Sequence, residues 1–509
     1  MIQEKIIQAD AFRPIRERCT KEQKKIVMCH GVYDLLHYGH LEHLREAKAQ
    51  GDVLVVSVTA APYVNKGPDR PYYSDEQRTE FLANLALVDY VVLSEEGTAK
   101  TNIASVQPNI FVKGQEFQSG DDGITGNVAA EIALVEQYGG KVYYTQGEVH
   151  SSSKLLNNYF NALPKEVMAV AKELTNEYGE GLIEQVIDYV DGFNKLKVLV
   201  VGDIIIDEYV FCKAQGLTNK DAAISTRYEN EERYLGGALA IARHLSSFAS
   251  KVDYVGLMGT DEGEQLAYIR EHLDDNIGFH IAQTENFVTP VKRRYLKHHT
   301  QRDEYDKLFS INNLLWDGTP VDYSQFYEQL EEQLEAYDLV VLCDYGHGAI
   351  TEEAQAIIEK KSKFLAVNCQ TNSANYGMNY ITKYHRADTF ALDEKELRLA
   401  YAQQQEELVT KLQHLTKALG ASCGWLTIGA EGAIGIEASG NLAKSPALTL
   451  EVKDTVGAGD AFYAMAVLCA ITKVPLDIAT LLSNASGAIK THMIGNSSAI
   501  GKTQLLKFV

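Results

Sequence analysis

Between residues 24 and 145, short apolar runs alternate with longer stretches of mixed polarity. The runs are KIVMC (25–29), VLVVSVT (53–59), YVVL (90–93), NIFVKG (109–114) and KVYYT (141–145). Their length and their β-branched content predict strands. The segments between them carry helical spacing. One helix is predicted near 75–87, because Ser74 followed by Gln77 forms a capping-box signature. Strands alternating with helices imply a parallel sheet covered on both faces.

The pattern then changes. Residues 155–195 contain no strand run and read as helix, punctuated by Pro164 and by Gly179-Glu180-Gly181. A new strand candidate, KVLVVGDIIID (197–207), opens a second α/β segment. It continues through KVDYVGLMG (251–259), LVVLCDYG (339–346), FLAVN (364–368) and GWLTIG (424–429). No repeat or low-complexity stretch is evident. The expected organisation is a first α/β domain over 1–160, a helical connector over 161–195 and a second α/β domain over 196–509.

Composition narrows the class. The 509 residues are 45% hydrophobic and 23% charged, as in an ordinary globular protein. No apolar stretch approaches the roughly 20 residues that span a bilayer. The N-terminus mixes both charges and lacks a signal-peptide pattern. A net charge of −21 argues against a nucleic-acid binder. It leaves room for nucleotides, which a local pocket can hold. The seven cysteines are scattered, with no CxxC, and read as buried thiols in a reducing cytosol.

HGVYDLLHYGH (30–40) begins where the first predicted strand ends, and a helix is expected to start near Gly39-His40. A helix N-terminus with glycine nearby offers N–H groups and a positive dipole end to an anion. Imidazoles beside it can donate to phosphate oxygens. The same HxxH could be a zinc pair, though no third ligand stands at a suggestive spacing. It could also be a pair of packed histidines.

The stretch resembles the nucleotidyltransferase signature G-x-F-D-x-L-H-x-G-H, with Tyr33 for Phe. YYSDEQR resembles that family's E-Q-R helix. FVKGQEF resembles its V-K-G turn, with Glu116 for Asp, and HSSSK (150–154) its closing segment. The similarity covers about 25–158. It extends to glycerol-3-phosphate cytidylyltransferases and to the adenylyltransferase half of bifunctional heptose-phosphate kinase/adenylyltransferases. It implies attack of a phosphate oxygen on the α-phosphorus of CTP or ATP, with loss of pyrophosphate. By this resemblance His37 and His40 stabilise the pentavalent phosphorus, and Lys66 and Arg78 neutralise phosphates. Gly31, Tyr33, Gly39, Lys48 and Lys113 contact the nucleotide, and Ser151 and Ser152 cap its phosphates. Asp34 holds the turn. The arginine of the cytidylyltransferase R-T-E-G segment is missing at Gln146-Gly147-Glu148-Val149, so CTP and ATP both stay open as nucleotidyl donor.

In the second half, EVKDTVGAGDAFYAMAVL (451–468) places a glycine-rich turn directly before an apolar helix. Such a turn can cradle a phosphoryl group, and Asp460 stands one residue on, suited to take a proton from a hydroxyl. The segment resembles the D-T-x-G-A-G-D signature of the ribokinase (PfkB) family of sugar kinases. VGDIIIDEY, YLGGALAIARHL, VVLCDYGHGAI, LTIGAEGAIG and SNASGAIKTHMIG resemble further segments of that family, together covering about 196–505. The resemblance implies a ribokinase-like domain with a small β lid, using ATP and Mg²⁺, with no metal held by direct protein ligation. Asp460 would be the base. Thr455, Gly457, Ala458 and Gly459 would hold the transferring phosphate, Thr427, Gly429 and Asn484 the ATP side, and Asp207, Gly236, Gly237 and Arg294 the sugar. Departures fall on the sugar side: Ala240 for Asn, Asn368-Cys369-Gln370 for D-P-K, and Asp393-Glu394-Lys395-Glu396 for N-x-x-E.

The composite resembles the bifunctional heptose kinase/adenylyltransferase with its halves in reversed order. It implies a kinase step that makes a sugar phosphate, then a nucleotidyl transfer that activates it for a surface glycan. The expected partners are small sugars or sugar phosphates and nucleotides, with no nucleic acid and no membrane, in a cytoplasmic homodimer. Two other readings are a transferase with a degenerate, sugar-binding or dimerising kinase half, and a non-catalytic nucleotide-binding scaffold.

Overall fold

The computed structural model describes residues 4–64, 71–114, 127–145, 165–218, 221, 223–260, 262–299, 304–314, 318, 320–372, 375–402, 407–449 and 452–509. The chain forms two compact units, Met1–Pro164 with Leu506–Phe508, and Lys165–Leu505 with Val509. The helices Lys165–Tyr178 and Leu182–Gly192, read from sequence as a connector, group with the second unit.

The first unit is built on six strands: β1 (Ile6–Ile7), β2 (Ile26–Gly31), β3 (Val53–Thr59), β4 (Tyr90–Ser94), β5 (Ile110–Lys113) and β6 (Lys141–Tyr144). They lie in the order β1-β4-β3-β2-β5-β6, all parallel. Side chains alternate across a strand, and β2 shows the result. Val27 and Cys29 pack with Leu44, Val56 and Leu82 on one face. Ile26 and Met28 pack with Val55, Ile103 and Phe111 on the other. Because β3 and β5 flank β2, the connection direction reverses there. Ligands in doubly wound sheets bind at such a switch point, and the loop after β2 is HGVYDLLHYGH. The expected capping box forms: Gln77 N–H donates to Ser74 Oγ at 3.3 Å and Ser74 N–H to Gln77 Oε1 at 3.1 Å.

The second unit has a nine-stranded sheet and a four-stranded lid. The sheet contains β7 (Lys197–Gly202), β10 (Lys251–Gly259), β11 (Ile277–Thr284), β14 (Leu339–Asp344), β15 (Leu365–Cys369), β16 (Thr389–Asp393), β17 (Cys423–Thr427), β18 (Ala433–Glu437) and β19 (Leu442–Ser445). Its order is β11-β10-β7-β14-β15-β16-β17-β18-β19, parallel as far as β17 and antiparallel beyond. The lid contains β8 (Ile204–Leu217), β9 (Ile224–Gly237), β12 (Val291–His299) and β13 (Glu304–Asn313), ordered β13-β12-β8-β9.

KVLVVGDIIID, a single strand by pattern, divides at Asp203 into β7 of the sheet and β8 of the lid. The buried Asp203 carboxylate accepts N–H bonds from Tyr345 (2.9 Å), His347 (3.3 Å) and Ala349 (3.1 Å), which ties the corner to the loop after β14. All seven cysteines are free thiols. Among the described residues, no helix is long and apolar enough to cross a membrane.

Candidate functional site

In the first unit His37 caps the helix Tyr38–Ala49, and His40 sits in its first turn. Their rings stack at 4.0 Å, and the buried Tyr33 ring lies 5.4 Å from His40. Tyr33 holds a left-handed backbone, φ 50°. A Cβ on Gly31 would stand 3.2 Å from the Tyr33 ring, so glycine lets the loop fold back tightly. Buried Asp34 accepts the Tyr73 N–H at 3.0 Å, which joins this loop to the start of the helix Asp75–Ala83. Gly39 lies in the same first helical turn as His40. The arrangement sets two imidazoles and a helix N-terminus at the carboxyl edge of the sheet.

The described cations of this unit are engaged within the protein. Arg78 is fully buried. Its guanidinium donates to the carbonyls of Tyr73 (3.1 Å), Val32 (2.6 Å) and Thr59 (2.8 Å) and pairs with Asp75. It is a staple between the histidine loop and the end of β3. Lys48 lies in the last turn of the helix that His37 begins, pairs with Asp89 and donates to the Asp52 carbonyl at 2.7 Å. At 1.5 Å rise per residue it stands roughly 12 Å along the helix from His40 and about 16 Å from His37. Lys113 is buried in an ion pair with Glu131 at 2.6 Å. Lys66, Ser151, Ser152 and the 146–149 stretch lie outside the described residues. His30, by contrast, is structural: it contacts Ser57 Oγ at 2.9 Å, and burial pulls its pKa down to about 4, so it is neutral.

In the second unit, the carboxyl ends of β15, β16 and β17, the first residues of β8, and the lid strand β12 enclose a cavity of about 280 Å³. Asp207, Gly237, Arg294, Thr427, Thr455, Gly457, Gly459 and Asp460 line it together. Gly457 caps the helix Ala458–Thr472 with φ 81°. This left-handed turn starts the helix, with the Ala458 N–H donating to the Thr455 carbonyl at 3.3 Å, and sets Asp460 in the first turn. Gly237 has φ 58°, and a Cβ there would lie 2.7 Å from the Asp203 carbonyl. A Cβ on Gly236 would lie 2.3 Å from Asp207 Oδ2. Gly236 thus lets the lid base close on the Asp207 carboxylate, and Gly237 lets it close on the Asp203 backbone.

Asp460 is the electrostatic centre. Tyr345 Oη donates to its Oδ1 at 3.0 Å and Gln370 Nε2 to the same oxygen at 3.3 Å. Burial pushes the Asp460 pKa up to about 6, opposed by the Tyr345 bond. Burial likewise raises Glu396, at the cavity wall, to about 8. On the opposite wall Arg294 pairs with Asp207, and burial lowers the Lys292 pKa despite three nearby carboxylates.

Other expected residues are placed elsewhere. Asn484 donates to Ser445 Oγ (2.9 Å) and to the Pro446 carbonyl (2.6 Å), so it ties its helix to the end of β19 and does not line the cavity. Gly429, with φ 53°, forms the turn after β17, and Ala458 opens the helix behind the anion-hole turn. Sequence reading missed Lys292, one position from Arg293 in PVKRRY, because a lone lysine in a charged run carries no signal. It also missed Tyr345 and Gln370 as partners of Asp460. Gln370 had shown only as the last position of the altered D-P-K triplet.

Residues 195–501 match the family described as pfkB family carbohydrate kinase, and residues 28–155 match Cytidylyltransferase-like. The chain is 35% identical over 136 residues to the Bifunctional protein HldE of Wolinella succinogenes, covering 26% of this chain and 28% of that protein. It is 25% identical over 310 residues to the Bifunctional protein HldE of Campylobacter jejuni, covering 60% and 63%. The chain thus spans less than two thirds of the length of these curated relatives. The crystal structure of phosphofructokinase-2 from Escherichia coli in complex with potassium aligns at 14% identity with a TM-score of 0.49, covering 62% of this chain and 98% of that one.

Proposed function

The chain belongs to the pfkB family of carbohydrate kinases, and from that premise we propose a bifunctional enzyme that phosphorylates a sugar or sugar phosphate and then activates a sugar phosphate by nucleotidyl transfer. The observation that carries the kinase half is Asp460, held by its Oδ1 above a left-handed glycine turn in a cavity walled by Lys292 and Arg294. In that step the acceptor hydroxyl gives its proton to Asp460 Oδ2, its oxygen bonds the γ-phosphorus of ATP, and ADP leaves. The first helical N–H groups meet the transferring oxygens. With a pKa of about 6, Asp460 is ionised at neutral pH yet basic enough to accept the proton. Lys292 and Arg294 favour an acceptor that already carries an anionic group.

Mg²⁺ would arrive with the ATP phosphates and not on a protein carboxylate, since both Glu396 oxygens accept backbone N–H bonds, from Thr371 and Asp393, and its pKa of about 8 leaves it neutral at pH 7. The ion would supply charge neutralisation there.

In the cytidylyltransferase-like half, a phosphate oxygen of the sugar phosphate attacks the α-phosphorus of CTP or ATP and pyrophosphate leaves. The nucleophile is already an anion, so the task is positioning and charge neutralisation. The stacked His37 and His40 at a helix N-terminus suit it. The product is a nucleotide-activated sugar for a surface glycan, made by a cytoplasmic homodimer. The name of the relatives, Bifunctional protein, is in keeping with this reading.

Mass spectrometry of the purified protein with all four NTPs and a library of sugars and sugar phosphates tests both halves. Sugar-dependent ADP and a nucleotide-sugar are expected, and Asp460→Asn abolishes the ADP alone. Pyrophosphate release with no sugar-dependent ADP would favour the rival reading, a transferase whose kinase-like half only binds. Sedimentation equilibrium tests the dimer.

A further inference from the structure

Lys490 ends the helix Leu476–Lys490 and is fully buried, a rare place for an ammonium. Its Nζ donates to the carbonyls of Gly495 at 2.6 Å and Ser498 at 3.5 Å. The end of the side chain lies directly behind the anion-hole turn: a Cβ added to Gly457 would stand 3.0 Å from Lys490 Cε and 2.3 Å from Asn496 Oδ1. Asp454, at the start of the same turn, accepts N–H bonds from Val456 (3.0 Å) and Gly495 (2.8 Å). The 491–498 loop and the 454–459 turn are therefore braced on each other, with the ammonium between them and the carboxylates of Asp454 and Asp460 in its field.

Two carbonyls need only a neutral donor. A lysine adds a full charge in a low-dielectric setting, where it acts over several ångströms. We propose that the Lys490 ammonium is a fixed cation of the phosphoryl-transfer site, which acts from behind Gly457 to offset the charge of the triphosphate and of the transferring group. Lys490 touches no reactant, so it is a positioning residue whose effect is electrostatic. Burial draws its pKa down to about 8, which keeps it a cation at neutral pH. This proposal rests on the kinase reading above.

The test uses the full-length protein with Lys490→Gln, which keeps a donor and removes the charge, and Lys490→Gly, which leaves space for a small amine. In Lys490→Gln the kcat for ATP-dependent phosphorylation is expected to fall roughly tenfold to hundredfold, with the sugar KM within about twofold. Calorimetry should show the non-hydrolysable analogue AMP-PNP binding about tenfold more weakly. Ammonium or methylammonium, but not tetramethylammonium, should restore part of the Lys490→Gly activity. A folded Lys490→Gln with wild-type kcat and analogue affinity overturns the proposal. So does a loss in Lys490→Gly that no amine restores while analogue affinity stays at the wild-type value. If the wild type phosphorylates nothing in the library, the kinase reading falls. Analogue affinity then decides on Lys490 alone, and equal values in wild type and Lys490→Gln overturn it.

Discussion

Tyr345→Phe isolates one bond at the proposed catalytic base. The Tyr345 ring is 4% exposed and the substitution keeps its volume, so packing around it should persist. What disappears is the 3.0 Å donation to Asp460 Oδ1. That bond favours the carboxylate, so its loss raises the Asp460 pKa from about 6. A hydrogen bond to a charged group contributes about 1.5–3 kcal/mol. At about 1.4 kcal/mol per pKa unit that is one to two units. The 3.3 Å bond from Gln370 remains and favours the lower figure. Activity needs the carboxylate, so the acid limb of the kcat profile should move up by about one unit, toward pH 7. Sugar-dependent ADP release, followed between about pH 5 and pH 9 in wild type and variant, measures it. At pH 9 the two rates should converge to within about threefold, because Asp460 is ionised in both. An acid limb that stays within about 0.3 unit of wild type, or moves down, refutes the assignment of Asp460 as base held by Tyr345.

His37→Ala and His40→Ala should each reduce pyrophosphate release by roughly a hundredfold to a thousandfold, with thermal stability kept, if they meet the developing charge at phosphorus. Arg78→Met should instead lower stability by about 3–5 kcal/mol, because it leaves Asp75 and three carbonyls without their partner; urea unfolding measures it, and a stable variant with a raised NTP KM would return Arg78 to the phosphates. Glu396→Gln should raise the melting temperature at pH 8 more than at pH 5. The folded pKa of Glu396 lies above its unfolded value, so native stability falls as pH rises toward about 8, and a neutral amide removes that fall; an equal shift at both pH values would contradict it.

Most parallel strands of both units were legible as apolar runs, and Val53–Thr59 and Lys251–Gly259 have the expected limits, while Ile6–Ile7, Ile277–Thr284 and Thr389–Asp393 were not picked out. Strands buried on both faces need continuous apolar side chains, so local composition marks them. The lid was not legible from pattern. Strand β9, ISTRYENEERYLGG, is largely exposed until its last three residues, so no alternation sets it apart from a loop. The histidine loop and the glycine turn with Asp460 were readable because each is a contiguous motif at a strand or helix end. The surroundings of Arg78 were not readable: the same E-Q-R letters suit a phosphate arm or a staple, and only the fold shows that the side chain is buried.

Residue order alone thus established two α/β units, the two motifs that bear chemistry and the helix that Ser74 caps. These depend on neighbours a few positions apart, where periodicity, glycine conformation and capping operate. Tertiary folding settled the charges. Tyr345, Gln370 and Lys490 reach Asp460 or the turn before it from 115, 90 and 30 residues away, and Lys292 joins them on a lid strand paired to β8. A carboxylate's basicity follows from what surrounds it in space, with burial, donors and opposing charge each shifting its proton, and no stretch of sequence around Asp460 contains those groups.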